Sequence, residues 1–491
     1  MNISFEQIFD YLVPYIIPVI MWTLTVTITF RLITKKQSVS ATLSWLMIVY
    51  LIPIVGILAY LVIGEINLGK RRGNSFKKLQ PKFMAWFEQF KTCGHLINTN
   101  NNLLYKPIFE LAQNRLGIPC VLGNELHIYD TPESIMQSII QDINQAQTSI
   151  NMTFYIWFNG GMVDEVMQAL VKARQRGVAI HILLDSVGSR AFFKSQNYQY
   201  MRQQGIEITE ALHVSLLRVF LRRIDLRQHR KIIVIDNQIA YTGSMNMVDP
   251  SCFKQDAHVG KWIDIMVRIT GPVSSLLNAL HAWDWEIESE KALPLILPAC
   301  PEITNSQSHS HAVQLIASGP SFPDDLMAQS LSLAIFSARK SITITTPYFV
   351  PSHGIVEALR IAALRGVEVN LIIPKRNDSV MVKWASRSFF DELLSVGVKI
   401  YQFEKGLLHT KSMLIDNKLA LVGTVNMDMR SFMLNFEVTM VVEDKSFANE
   451  IAILHENYLQ TASLLDYQQW KTRSLYSRIV EKIFFLFSPL L

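Results

Sequence analysis

Two stretches of this chain repeat the same reactive side chains at the same spacing. Residues 228–246 read Gln-His-Arg-Lys-Ile-Ile-Val-Ile-Asp-Asn-Gln-Ile-Ala-Tyr-Thr-Gly-Ser-Met-Asn, and residues 408–426 read Leu-His-Thr-Lys-Ser-Met-Leu-Ile-Asp-Asn-Lys-Leu-Ala-Leu-Val-Gly-Thr-Val-Asn. His229, Lys231, Asp236, Gly243 and Asn246 return as His409, Lys411, Asp416, Gly423 and Asn426. An apolar run broken by Asp-Asn and followed by a second apolar run reads as two strands joined by a tight hairpin. Alternate side chains share a face of a strand, so His229 and Lys231 project together, about 7 Å apart along the backbone, as do His409 and Lys411. Gly243 and Gly423 permit a sharp turn or close approach to a ligand, with the Ser244 or Thr424 hydroxyl and the Asn246 or Asn426 amide just beyond. Each copy thus offers an imidazole, an ammonium, a hydroxyl and an amide, a set suited to gripping a phosphate. Asp236 and Asp416 stand at an odd offset from their histidines and read as turn-fixing residues of the motif, not as acid–base groups.

A single His-x-Lys on a strand is ordinarily structural; two copies with identical offsets through Asp, Gly and Asn are a signature. The pair resembles the double motif of the phospholipase D superfamily, in which the two copies meet across a pseudo-twofold axis to build one active site. The resemblance implies a catalytic set of His229, Lys231 and Asp236 with His409, Lys411 and Asp416.

The elements around each motif also repeat. Residues 150–157 read as a buried strand, 161–176 as an amphipathic helix and 178–185 as a second strand; 342–350, 354–365 and 367–373 follow the same order, and Arg-Gly-Val recurs at 176–178 and 365–367. These are βαβ units with parallel strands. The expected architecture is α/β, with pseudo-symmetric phospholipase D-like domains at 121–300 and 312–462, a Ser- and His-rich linker at 301–311, and a basic amphipathic tail at 463–491. The tail run Ile483–Leu491 is too short to span a bilayer but suits an interface.

Hydrophobic residues make up 49% of the 491, and the excess lies near the N-terminus. Residues 11–30 and 41–64 carry no charge before Glu65, each long enough to cross a core of ~30 Å as a helix. Residues 1–66 therefore read as a two-helix transmembrane hairpin. A cleaved signal peptide competes for the first span, but Glu6 and Asp10 precede it without Lys or Arg. The loop holds Arg31, Lys35 and Lys36, whereas Lys70, Arg71, Arg72, Lys77 and Lys78 follow the second span, so the count leans towards cytoplasmic catalytic domains in a multi-pass membrane protein. Within the basic linker 67–120, Phe83, Trp86, Phe87 and Phe90 fit either a helix packed on the globular part or one lying on headgroups. The basic, apolar stretch 212–227 is either a solvated helix face or a lipid-facing lip.

Other chemistries find no support. There is no Gly-x-x-x-x-Gly-Lys loop for nucleotide hydrolysis. Cys93, Cys120, Cys252 and Cys300 are far apart, His455-Glu456 lacks a second histidine at 459, and His309 with His311 sits in a polar linker. No metal and no cofactor is expected. The net charge of +5 is too small to argue for nucleic acid and favours an anionic membrane surface.

Phosphodiester exchange needs a nucleophile, an acid for the leaving oxygen and cations for the phosphoryl oxygens. One histidine attacks phosphorus while the other protonates the leaving alcohol and then deprotonates the incoming one. Lys231 and Lys411, helped by Asn246 and Asn426, hold the oxygens, with Ser244 and Thr424 in support. Asp264 and Glu437, on the apolar strands after the motifs, are the candidates to orient the histidines. The two spans, the basic linker, Leu-Arg-Arg-Ile-Asp-Leu-Arg at 221–227, Asn-Met-Val-Asp-Pro at 246–250 and the Ser-Pro-Leu-Leu end resemble the bacterial cardiolipin synthases of this superfamily. That implies transfer of a phosphatidyl group between two phosphatidylglycerol molecules through a phosphohistidine, with anionic membrane lipids as partners and the N-terminal histidine as nucleophile. A hydrolytic phospholipase D, another phosphatidyltransferase and a membrane-tethered nuclease would use the same residues.

Overall fold

The computed structural model describes residues 5–35, 39–65, 68–92, 104–214, 223–298 and 311–488. Residues 215–222 of the stretch 212–227, all but one residue of the linker 301–311, and Cys93 and Cys300 lie outside these. The chain divides into two units, one of residues 1–71 with 214–225 and one of 72–213 with 226–491.

In the first unit, helix α1 (Phe5–Thr34) is a single element through Pro14 and Pro18. Its stretch 14–34 is, among the described residues, the one helix long and apolar enough to cross a membrane. The expected second span is corrected. Pro53 breaks it into α2 (Val39–Leu51) and α3 (Pro53–Ile63), which at 1.5 Å per residue reach only about 20 and 17 Å. The chain doubles back between them, and a Cβ on Gly56 would lie 2.6 Å from the Ile48 carbonyl oxygen. Glu65, just after α3, accepts from Arg31 Nη2 at 2.7 Å and also pairs with Lys35 at the end of α1. The end of α3 therefore returns to the C-terminal end of α1.

The second unit holds both motif halves in one mixed sheet. From its first edge the order is 207–211, 179–185, 149–154, 232–235, 239–243, 266–270 and 121–129; the second half repeats it in mirror order as 311–318, 435–443, 419–423, 412–415, 341–345, 368–374 and 399–403. Strands Val121–Tyr129 and His311–Ser318 pair antiparallel and join the halves. The βαβ strands are parallel as expected, whereas the motif hairpins pair antiparallel. Each hairpin turns through Asp-Asn with both residues at positive φ, 53° and 56° at Asp236 and Asn237 and 53° and 51° at Asp416 and Asn417, the geometry whose twist matches that of the strands. The motif glycines serve strand packing and not a turn: a Cβ on Gly243 or Gly423 would lie 2.3 Å from the carbonyl oxygen of Ile265 or Val438.

The helix Lys70–Lys91 settles on the packed alternative. Phe83, Trp86, Phe87 and Phe90 are buried in the main core, Phe83 meets Trp283 with ring centroids 4.5 Å apart, and Lys82 bonds Glu286 at 2.6 Å. His455 is also a core residue, hydrogen-bonded to Ser412 Oγ at 2.7 Å.

Candidate active site

Two short exchanges between the halves bring the motifs together. Arg227–Gln228, just before the first motif, pairs with Asn435–Phe436 of the second half, and Leu407–Leu408 pairs with Trp262–Ile263 of the first. His229 N then donates to Phe436 O at 3.0 Å, and His409 N to Ile263 O at 2.8 Å. These registers set each histidine beside the carboxylate of the opposite half. His229 Nδ1 lies 2.8 and 2.9 Å from the Glu437 oxygens, and His409 Nδ1 lies 2.6 Å from Asp264 Oδ1. The sequence finds both carboxylates; their crossing is a product of the exchange.

An ionised carboxylate only accepts, so Nδ1 of each imidazole carries the proton and Nε2 keeps its lone pair. Burial works against ionisation of Asp264 and Glu437, but the facing imidazoles, lysines and hydroxyls outweigh it and hold both below the usual carboxylate range. Burial, with a contribution from the lysines, pushes His229 and His409 down to about 4. Burial also pushes Lys231 down to about 8 and Lys411 to about 7. Their ammonium groups turn back on the motif, Lys231 Nζ donating to His229 O at 2.8 Å and Lys411 Nζ to His409 O at 2.5 Å.

The hydroxyls of Ser244 and Thr424, expected in support of the phosphate groups, are engaged with the carboxylates. Ser244 Oγ accepts from Ile265 N at 3.0 Å and donates to Asp264 at 2.6 Å. Thr424 Oγ1 accepts from Val438 N at 3.0 Å and donates to Glu437. Each is buried and holds the carboxylate that holds the other half's histidine. Asn246 Oδ1 accepts from Ile156 N at 3.2 Å, which fixes its amide, and Asn426 is buried beside its motif.

Asp236 and Asp416 stand at the far ends of their hairpins, five residues beyond the lysines or about 17 Å along a strand. Their carboxylates collect backbone amides from the neighbouring helix-to-strand connection: Asp236 those of Gln147, Thr148 and Ser149 at 2.8–2.9 Å, Asp416 those of Arg339, Lys340 and Ser341 at 2.7–3.1 Å. They fasten the hairpin to the next strand, not merely their own turn, and take no place among the reacting groups.

Sequence reasoning missed the aromatic walls. Tyr155 meets His229 at 5.2 Å and Trp262 meets His409 at 4.6 Å between ring centroids. Trp262 stands two residues before Asp264, a same-face offset that would have flagged it. It also missed Arg230, buried in an ion pair with Asp284 while donating to the Glu437 carbonyl at 3.2 Å, a second tie across the halves. Among the described residues no cluster of three or more His, Cys, Asp or Glu has the form of a metal site.

A family model described as cardiolipin synthase, PLD-like domain, matches residues 139–269 and 331–458, more than half of the chain. The chain belongs to this family. A second model, phospholipase D-nuclease N-terminal, matches residues 22–65. Among relatives in the cardiolipin synthase family, cardiolipin synthase A of Edwardsiella ictaluri is 49% identical over 470 residues, which cover 96% of this chain and 97% of that one. Cardiolipin synthase A of Escherichia coli is 49% identical over 473 residues with the same coverage. The crystal structure of phosphatidylserine synthase from Haemophilus influenzae Rd KW20 superposes with a TM-score of 0.57 over 79% of this chain and 98% of that one; at 14% identity it speaks to the fold alone.

Proposed function

We propose that this protein is a cardiolipin synthase that moves a phosphatidyl group from one phosphatidylglycerol to the primary hydroxyl of another through a phosphohistidine. The observation that carries the chemistry is the crossed pair of carboxylate-held imidazoles, each with its own lysine. His229 Nε2 attacks phosphorus as the bond to the glycerol oxygen breaks, and His409 gives that oxygen its proton. Arrival of the phosphodiester anion against Lys231 and Lys411 offsets their charge and raises both imidazoles, which lets His409 carry the proton it must deliver. Neutral His409 then takes the proton of the second phosphatidylglycerol hydroxyl, whose oxygen displaces His229. One phosphodiester replaces another, glycerol leaves, and no nucleotide is consumed. Lys231, Lys411, Asn246 and Asn426 hold the phosphoryl oxygens as charge shifts in the transition state. Near-complete burial of both histidines limits water and favours an alcohol acceptor over hydrolysis.

The domains are the N-terminal apolar unit 1–66, the basic connection 67–120 and phospholipase D-like halves at 121–300 and 312–462, with 301–311 between them and 463–491 as the tail. In the bacterial inner membrane, α1 crosses once, while α2 and α3 enter and return. Arg31 and Lys35 then stand on the same side as Arg71 and Arg72, and the two basic groups add instead of competing. The acidic N-terminal residues Glu6 and Asp10 fall on the other side, so the basic side, with the catalytic halves after it, is cytoplasmic. The partners are phosphatidylglycerol and the anionic bilayer, not nucleic acid.

The deciding experiment incubates the purified protein with labelled phosphatidylglycerol. Cardiolipin and free glycerol in equal amounts are expected; phosphatidic acid as the main product would establish hydrolysis instead.

A further inference from the structure

The last helix of the chain leaves a broad apolar face uncovered. In Leu475–Phe485 and the turn after it, Leu475, Ile479, Ile483 and Leu486 are 72%, 50%, 50% and 73% exposed, and Tyr476 and Phe487 are exposed beside them. At 100° per residue these six side chains fall within about one third of the helix circumference. Arg478 and Lys482 flank one edge of that sector. The opposite face is built in: Glu481 is buried and bonds Arg387 and Arg473, both at 3.0 Å, and Phe485 meets Phe389 at 5.4 Å. The helix is thus held against the helix Val380–Leu394 with its apolar stripe turned outwards, and Val380 and Met381 extend the exposed surface at the N-terminus of that second helix.

The Val380 end of this surface is linked to the reacting groups by a short chain of contacts. Asp378, two residues before Val380, accepts from Tyr348 at 2.8 Å and from Lys254 at 3.2 Å. Lys254 lies 5.4 Å from the centre of Trp262, whose ring is 4.6 Å from that of His409. A contiguous apolar face rimmed by cations on an otherwise folded, ion-paired support has the composition of an interfacial helix.

We propose that the face formed by Leu475–Phe487 with Val380 and Met381 is a bilayer-docking surface that seats the second unit on anionic lipid beside the mouth of the site. The occupant is the lipid surface: the aliphatic side chains enter the acyl boundary while Arg478 and Lys482 meet phosphate groups. It is a contact separate from α1, and it rests on the proposed function only in using the same membrane. Docking of this kind brings a headgroup phosphate to a site that the enzyme keeps dry, without extracting the whole lipid into water.

The test uses the full chain in nanodiscs holding one copy each, with an environment-sensitive fluorophore on a cysteine introduced at Ile479 or Ile483. Controls carry it at Ile453 and Leu464, exposed apolar positions elsewhere on the unit. In discs containing acyl-brominated phosphatidylglycerol, the labels at 479 and 483 are expected to be quenched and those at 453 and 464 not. Ile479→Asp with Ile483→Asp, read by a label at Leu486, should abolish that quenching. Each buried isoleucine is worth roughly tenfold to a hundredfold in the docking equilibrium. Equal quenching at all four positions, or none, overturns the proposal. Protection that appears only when two copies share a disc assigns the face to a second copy of the chain and overturns it as well. None of these readouts needs turnover, so a failure of the synthase reading remains distinguishable from a failure of docking.

Discussion

Glu437→Gln, set against Asp264→Asn, tests the crossed wiring of the site. Glu437 accepts from His229 Nδ1, from Thr424 and from Asn435 Nδ2 at 3.1 Å, all within the core. Glutamine keeps the volume but removes the charge, and its amide can donate to Nδ1, which moves the ring proton to Nε2, the attacking atom. Loss of the oriented nucleophile is worth about 10²–10⁴-fold, or about 3–5 kcal/mol in the barrier. Asp264→Asn makes the same change at His409, whose task is the leaving group. The assay is therefore run with two substrates, phosphatidylglycerol and a phosphatidyl ester of p-nitrophenol, whose departure needs no proton. Glu437→Gln should slow adduct formation with both. Asp264→Asn should slow it by a similar factor with phosphatidylglycerol and by less than about tenfold with the activated ester. Peptide mass spectrometry should locate the adduct on His229. If Asp264→Asn impaired the activated ester while Glu437→Gln spared it, the nucleophile would be His409 and the assignment of roles refuted.

Ser244→Ala removes a hydroxyl that holds Asp264, so kcat should fall roughly tenfold with KM unchanged; a raised KM with kcat intact would restore Ser244 as a phosphate ligand. Burial holds Lys411 down to about 7 and Lys231 to about 8. A cation with a depressed pKa loses its proton as pH rises, so kcat/KM should fall through that window, while kcat, measured with the phosphodiester bound, should fall at higher pH; a kcat/KM flat up to about pH 9 would exclude these lysines as the phosphate-binding cations. Because the chemistry is carried by imidazoles and ammonium groups, turnover should persist in EDTA, and loss restored by one specific divalent ion would overturn the proposed mechanism.

The sequence alone determined the reacting groups. His229, Lys231, His409 and Lys411 are spaced by the two-residue period of a strand, and the Asp-Asn turns demand a tight hairpin, both local properties that survive without the fold. Asp264 and Glu437 were legible for a related reason, as charges on strands otherwise apolar. What these residues do for one another was not legible, because it depends on contacts between positions 145 and 208 residues apart. Only the exchange of Arg227–Gln228 and Leu407–Leu408 between halves assigns Glu437 to His229 and Asp264 to His409. Within each half, pairing of 239–243 with 266–270 and of 419–423 with 435–443 buries Ser244 and Thr424 against those carboxylates. The second span was misread for the converse reason. Hydropathy measures the length of an apolar run but not its direction, and Pro53 with the pairing of Glu65 to Arg31 and Lys35 turns that run back on itself. Composition placed apolar side chains in the tail; the burial of Glu481 decided which of them face outwards.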